Sequence, residues 1–546
     1  MVSRHESTGG ASGAPDPGSR RSLFWILAGI TLLGALLRFH RIANQSLWTD
    51  EMATLNAVNV GAAVTLRELQ ANVQGPLHAA IVWLVSQVSL REEALRSVSA
   101  VVSIATIPVV FLLGRELFDR RAGLLAAFFL AVSPFSIWYA QEVRNYAMLH
   151  AFAALSTLLA YRLVGRDARA WPGYVASAAA ALYCNLSAAF LVVGQAVFAL
   201  PRAVRDRRFR RGWLIAYVII ALLFIPTLVG VARWAEKDRV SDRVVLTPVA
   251  EADALLRGET TFVPGAIPYT FFAMSYGFSL GPSLRALHLE PPARAFLRHA
   301  GLVVPAGLAA AGALLLGVWR ATRDRVALRL ILCVVAAVFG GTVLAALLNV
   351  KPFGARYVSA VLPLHVVLLG AGVGALSRWP RAALAGAIAV FSLMALWNHY
   401  YVPEYWKEDV RAATRYIEGH ERPGDIVVAP AVLEVFDFYF RGTADRFALY
   451  PPDTRTDEGV SRVIETRARS ASRIWFIDAR HWGIDPDRRI PRYLRDRHEL
   501  LDARSFPCAE LSLFRAAWDV TARGEAAPAP SRSEPVHSAR PRGVDR

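Results

Sequence analysis

Apolar runs separated by short arginine-rich links fill most of the chain up to about residue 400. The runs fall at 23–39, 97–114, 122–138, 147–163, 172–184, 187–201, 213–231, 300–318, 328–348, 357–376 and 382–398. Blocks of this length and character predict membrane-crossing helices, about eleven of them. The stretch from Pro76 to Leu90 is also apolar but only about 15 residues long, at the short limit for a span. It predicts an interfacial or re-entrant helix inside one long external loop, 40–96. From Trp406 the pattern changes. Glu408 to Gly419 has helical spacing, and Asp425-Ile-Val-Val-Ala-Pro430 and Arg473-Ile-Trp-Phe-Ile-Asp478 read as buried strands. Helical stretches around 432–440, 459–468 and 491–498 lie between or after them, predicting a small α/β domain with a mainly parallel sheet.

The expected organisation is therefore a lead, 1–21, a polytopic α-helical membrane domain, 22–401, an α/β domain, 402–519, and a tail, 520–546. The two ends are rich in small residues, Pro and Arg and read as disordered. No small-residue cleavage site follows Phe39, so the first helix reads as a retained anchor.

Composition agrees with a membrane protein: 54% of residues are hydrophobic and 19% charged, against about 25% charged in soluble chains. The net charge of +17 is carried mostly by arginines that crowd the links. Arg202, Arg205, Arg207, Arg208, Arg210 and Arg211 form the densest group. Arg115, Arg120 and Arg121; Arg162, Arg166 and Arg169; Arg320, Arg323, Arg325 and Arg329; and Arg378 and Arg381 form the others. With the eleven spans drawn, all five fall on one side with Arg20 and Arg21. That is the footprint of membrane topology and not of a nucleic-acid face. It predicts a multi-pass protein of the inner (plasma) membrane with a cytoplasmic N-terminus and an extracytoplasmic α/β domain. Cys184, Cys333 and Cys508 have neither disulfide nor zinc spacing.

The same partition gathers the unusual polar residues on the outer side. Asp50 and Glu51 follow the first span, and His78 and Arg96 lie at the same level. Glu142, Arg144 and Tyr146 sit in one outer link, and Lys351, Arg356 and Tyr357 in another. Paired acids at a membrane surface can take a proton from a hydroxyl or bind a cation. Arginine and lysine that run against the positive-inside trend point to an anionic partner there. Asp50, Glu51, Glu142 and His78 offer oxygen and nitrogen ligands for a divalent metal. The metal-free reading is preferred, because the Lys and Arg residues already account for a phosphate's charge.

An acidic pair just after the first span resembles the signature of the GT-C membrane glycosyltransferases. The branch it is most similar to contains protein O-mannosyltransferases and the lipid A aminoarabinose transferase. Gln74-Gly-Pro-Leu-His78, Glu93-Ala-Leu-Arg96-Ser-Val-Ser, Ser133-Pro-Phe-Ser-Ile-Trp-Tyr-Ala-Gln-Glu-Val-Arg-Asn-Tyr-Ala147 and Arg356-Tyr-Val-Ser-Ala-Val-Leu-Pro363 add to the likeness. Together they cover roughly residues 20–400. Where the mannosyltransferase branch has an Arg plus Leu-Asp-Pro type segment, this chain has Glu142-Val-Arg144-Asn-Tyr146.

The resemblance implies a GT-C-like fold and a polyprenyl-phosphate sugar donor used at the outer face. It implies Asp50, Glu51 and Glu142 as the catalytic acids, with Asp50 as base, and inversion at the sugar. Arg96, Arg356 and Lys351 would hold the phosphate, while Glu142, Arg144, Tyr146, Tyr357 and His78 shape the site. The acceptor is open: a protein Ser or Thr, a lipid or a growing glycan. A lipid transporter or flippase is the rival reading. It is disfavoured because the spans carry few acids and the Asp50-Glu51 segment is not repeated. A non-catalytic membrane scaffold leaves the outer charges without a use.

Overall fold

The computed structural model describes residues 17–58, 75–244, 264–348 and 353–517. Lys351, residues 1–16 of the expected lead and the whole expected tail lie outside the described residues. Among the described residues, eight helices are long and apolar enough to cross a membrane. They are Arg21–Phe39, Glu92–Leu117, Tyr146–Val164, Ala188–Arg205, Arg207–Val229, Ala300–Ala321, Arg325–Leu347 and Arg378–Tyr401. A ninth is reached if Arg120–Ala131 and Pro134–Ala140, bent by 54°, count as one span. Eleven is not reached by length. The expected spans at 172–184 and 357–376 fold as helices of 14 residues, Trp171–Cys184, and 13 residues, Leu362–Gly374, short of the roughly 20 that a bilayer needs.

The basic links hold few acids, and several of these cap the next helix. Asp119 accepts from the Ala122 N–H, Asp206 from Arg208 and Phe209, and Asp324 from Val326 and Ala327. A side-chain oxygen there satisfies backbone N–H groups that have no partner in the first turn. Leu362–Gly374 is buried along its whole length and forms the middle of the bundle. It packs against Arg120–Ala131 and Ala300–Ala321. A Cβ on Gly372 would run into the Ala313 carbonyl, and one on Gly317 into that of Leu368, so this crossing depends on two glycines.

The expected 122–138 span is broken at Ser133-Pro134. Pro134 has no N–H for the carbonyl four residues back. Arg38, at the end of the first helix, supplies donors instead. Its guanidinium is fully buried and donates to the carbonyls of Leu130, Ala131 and Gly34 at 3.0 Å and to Ser103 and Ser136 at 2.8 and 2.9 Å. All five acceptors are neutral. The short half-helix beyond the break thereby leads into the 141–145 turn, and its last residues carry Trp138 and Tyr139.

The C-terminal sheet has strands β1 (Asp425–Val428), β2 (Asp445–Phe447), β3 (Arg473–Asp478), β4 (Glu499–Phe506) and β5 (Ala509–Arg515) in the order β2-β1-β3-β5-β4. Only β2-β1-β3 is parallel; β5 and β4 are antiparallel additions. The expected mainly parallel sheet is thus a mixed one. Pro507-Cys508 joins β4 to β5, and so short a turn permits only antiparallel pairing. β4 itself is an edge strand, exposed or half-exposed along its length, so it lacks the apolar pattern that marked β1 and β3. One sheet face packs on Asp457–Ala468 and Arg489–Arg497 through Ile426, Ile474, Phe476, Val460 and Leu494. The other, with Val427, Trp475 and Leu513, joins a core that continues through Val410, Phe436 and Leu47 into the membrane helices.

Candidate active site

Ser46-Leu47-Trp48 leads into the helix Thr49–Val58, with Asp50 and Glu51 in its first turn, where carboxylates favour the helix dipole. Neighbours on a helix point about 100° apart, and the two acids have opposite surroundings. Glu51 is fully buried. Its carboxylate receives Arg96 Nε at 2.9 Å and Nη2 at 2.8 Å, and the Val143 N–H at 2.8 Å. Burial pushes the Glu51 carboxyl up, but Arg96, Lys407 and the Val143 bond outweigh it and hold the group below the usual value. The Asp50 side chain is 28% exposed, and its Oδ2 lies 2.8 Å from Arg356 Nη1. Arg144 Nη1 donates to the Asp50 carbonyl at 2.8 Å.

Arg96 was expected to hold a phosphate. The structure places it beneath the site, 1% exposed. Besides Glu51 it donates to the carbonyls of Ile42, Gln45 and Ser46. It shapes the loop that carries Asp50 and presents no open face to a ligand. His78 is also buried, 3.3 Å from Ser99, whose hydroxyl donates to the Arg144 carbonyl. It supports the 141–145 turn from below. Gly75, just before it, has φ +107°, and a Cβ there would strike Asn145 and the Cys184 carbonyl. Asn145 itself donates to that carbonyl.

Glu142 is 1% exposed, with Oε1 2.7 Å from Lys407 Nζ. Burial and the nearby Glu51 and Asp50 charges push its carboxyl up; Lys407 pulls it down without cancelling them. The Lys407 ammonium lies 4.9 Å from the Trp48 ring centre and 5.3 Å from that of Trp138. Tyr139 and Tyr146 rings sit 4.7 Å apart, Arg144 is 5.9 Å from the Tyr146 ring and Arg356 4.9 Å from that of Tyr357. Lys407 was missed from sequence. One signal was present: Lys237, Lys351 and Lys407 are the chain's lysines, every other basic side chain apart from histidine being arginine.

The described geometry thus brings together the 49–51 turn, the 141–146 link and Arg356. The stretch 405–411 closes over them. The Lys407 N–H donates to Gln45, and Arg411 donates to the carbonyls of Ala43 and Asn44 and to Glu92. Tyr439 bridges the Leu47 N–H and Glu92. Among the described residues no three His, Cys, Asp or Glu side chains are grouped to hold a metal ion. Of the four ligands considered, Glu51 faces Arg96, Glu142 faces Lys407 and His78 faces Ser99, so the set does not fit one.

The sequence model of the dolichyl-phosphate-mannose-protein mannosyltransferase family matches residues 73–229, a stretch that holds Arg96, the broken helix and the Glu142–Tyr146 link. The fold is similar to that of ArnT from Cupriavidus metallidurans in the apo state, at 13% identity and TM-score 0.51, over 91% of this chain and 98% of that one. The family match covers part of the chain, and the likeness to ArnT is one of fold. The chain is likewise similar in fold to the apo oligosaccharyltransferase of Archaeoglobus fulgidus, at 11% identity and TM-score 0.52, over 92% of this chain and 75% of that one. The same protein, AglB, in complex with an inhibitory peptide and a dolichol-phosphate gives 12% identity and TM-score 0.50, over 91% and 74% of the two chains. No curated protein matches by sequence. The apolar helices make this a multi-pass membrane protein, and neither the family match nor the fold favours the transporter reading.

Proposed function

We propose that the protein moves a sugar from a polyprenyl-phosphate-linked donor to an acceptor hydroxyl or amine at the outer membrane face. The observation that carries this reading is the pairing of Asp50 with Arg356. Of the three acids expected to be catalytic, Asp50 alone is open, and a guanidinium stands 2.8 Å from it at the same rim. A base and a phosphate-binding cation side by side suit a lipid phosphate leaving group. The dolichol-phosphate bound by AglB supports a donor of that class.

Asp50 accepts the acceptor's proton as its oxygen or nitrogen bonds to the anomeric carbon. The bond from that carbon to the phosphate oxygen breaks on the opposite face, and the lipid phosphate leaves with the electron pair, so the anomeric centre inverts. Arg356, with Lys351 close in sequence, stabilises the departing charge. Arg144 fixes the Asp50 backbone, while Tyr146 and Tyr357 line the rim. Glu51 with Arg96, and Glu142 with Lys407, position these groups and do not touch substrate. His78 holds the turn. No step uses a metal.

Residues 22–401 form the catalytic membrane domain and 402–519 an extracytoplasmic domain capping it, with the N-terminus in the cytoplasm of a cell bounded by the plasma (inner) membrane. In vesicles supplied with a labelled polyprenyl-phosphate sugar, Asp50→Asn is expected to cut turnover by about 10²–10⁴ while inserting normally. Undiminished transfer by that variant removes Asp50 from the mechanism. Orientation is read separately. With Cys184, Cys333 and Cys508 replaced by serine, an impermeant thiol reagent applied to intact cells should label Asp496→Cys and not Arg207→Cys. The reverse pattern overturns the topology.

A further inference from the structure

At the end of the bundle away from the candidate site, two helices face each other across a cleft of about 710 Å³. One wall is Arg120, Arg121, Leu124 and Leu125; the other is Arg378, Arg381, Ala382 and Ala385. The second helix, Arg378–Tyr401, has 24 residues and spans about 36 Å at 1.5 Å per residue. Its far end reaches the site through His399, which meets Gln141 at 3.0 Å. The cleft is therefore a full membrane thickness from Asp50.

Each wall repeats one arrangement. Two arginines stand at the mouth, and apolar side chains follow one turn deeper. No carboxylate is among the described residues that line the cleft. The level of the mouth is marked by Trp379, 76% exposed with Arg378 over its ring, and by Trp319, 52% exposed under Arg323. Exposed tryptophans beside arginines sit at the head-group level of a bilayer. Positive-inside topology explains why arginines occupy these links. It does not explain why they face one another around a ligand-sized space with an apolar floor.

We propose that this cleft binds an anionic glycerophospholipid, its phosphate between the two arginine pairs and an acyl chain along Leu124, Leu125, Ala382 and Ala385. The ligand chemistry is a phosphate on an apolar tail, and the two-walled shape, open to the bilayer, takes a membrane lipid from the side. Basic pockets between membrane helices are known to select anionic head groups on electrostatic grounds. The inference does not depend on the reaction assigned to the outer rim.

The test is lipid retention by the full chain, measured by native mass spectrometry in mild detergent with added phosphatidylglycerol or phosphatidylcholine. One phosphatidylglycerol per chain should persist at a detergent level that strips phosphatidylcholine. Arg378→Gln with Arg381→Gln, and separately Arg120→Gln with Arg121→Gln, should each weaken retention about tenfold or more, since each removed arginine contributes roughly a factor of five near a charged surface. Two independent walls guard against one variant failing to fold. Arg207→Gln with Arg208→Gln, the same charge change away from the cleft, should leave retention unchanged. Equal retention of both lipids, or equal loss in the control pair, overturns the proposal. So does preferential retention of a polyprenyl phosphate over phosphatidylglycerol.

Discussion

Two adjacent carboxylates differ in this protein because one is buried against Arg96 and the other, beside Arg356, stays open at the rim. Glu51 is a buried ion whose charge is matched by Arg96. Removing one partner of a buried pair leaves an uncompensated charge, at a cost of about 3–5 kcal/mol. Arg96→Met should therefore lower the unfolding free energy by that order in detergent. The pair also sets a pH dependence. The folded Glu51 carboxyl sits below its ordinary value, so the unfolded chain binds the proton more readily. The stability it contributes is complete above the ordinary carboxylate range and is lost as pH falls toward the folded value. Melting curves from about pH 6 down to about pH 3 should show that decline, and Glu51→Gln should flatten it.

The broken helix is the element that delivers the 141–146 link to the rim. A proline splits it, and the Arg38 guanidinium holds the gap closed. Arg38→Met should leave the Leu130 and Ala131 carbonyls short of a donor, each at about 1–3 kcal/mol. The variant should lose both thermal stability and turnover; unchanged melting would show that the break is held by other contacts. The crossing of Leu362–Gly374 over Ala300–Ala321 makes a second test. Gly372→Leu places atoms where the Ala313 backbone lies, so it should express poorly or melt early, whereas substitution at Gly312, with open space around it, should be tolerated.

Across the whole molecule, the α/β domain and the membrane helices share a core and meet at the acidic loop. Lys407 is the joint, reaching from the start of the domain to Glu142 between two tryptophans. Lys407→Met strands the Glu142 charge and should destabilise by about 3 kcal/mol. Adding Glu142→Gln should recover part of that loss, because the stranded charge is then gone. Strict additivity of the two changes, read from unfolding midpoints, would mean that the pair does not interact.

Hydrophobic patterning determined the membrane architecture, because an apolar run in lipid has essentially one low-energy form, the helix. Arginine placement likewise marked the basic links, and the acids and arginines of the links between them stood out by sequence alone. The β4–β5 hairpin was hidden because an exposed edge strand carries no apolar signature. The break at Pro134 was hidden because the sequence does not say that an arginine nearly a hundred residues earlier will fill it. Which of Asp50 and Glu51 faces the rim, whether Arg96 meets a ligand or a buried acid, and that Lys407 belongs to the site were decided only in the tertiary structure. Burial and ion pairing depend on which chain segments meet in space, and Lys407 reaches Glu142 only because the chain folds back over the first loop.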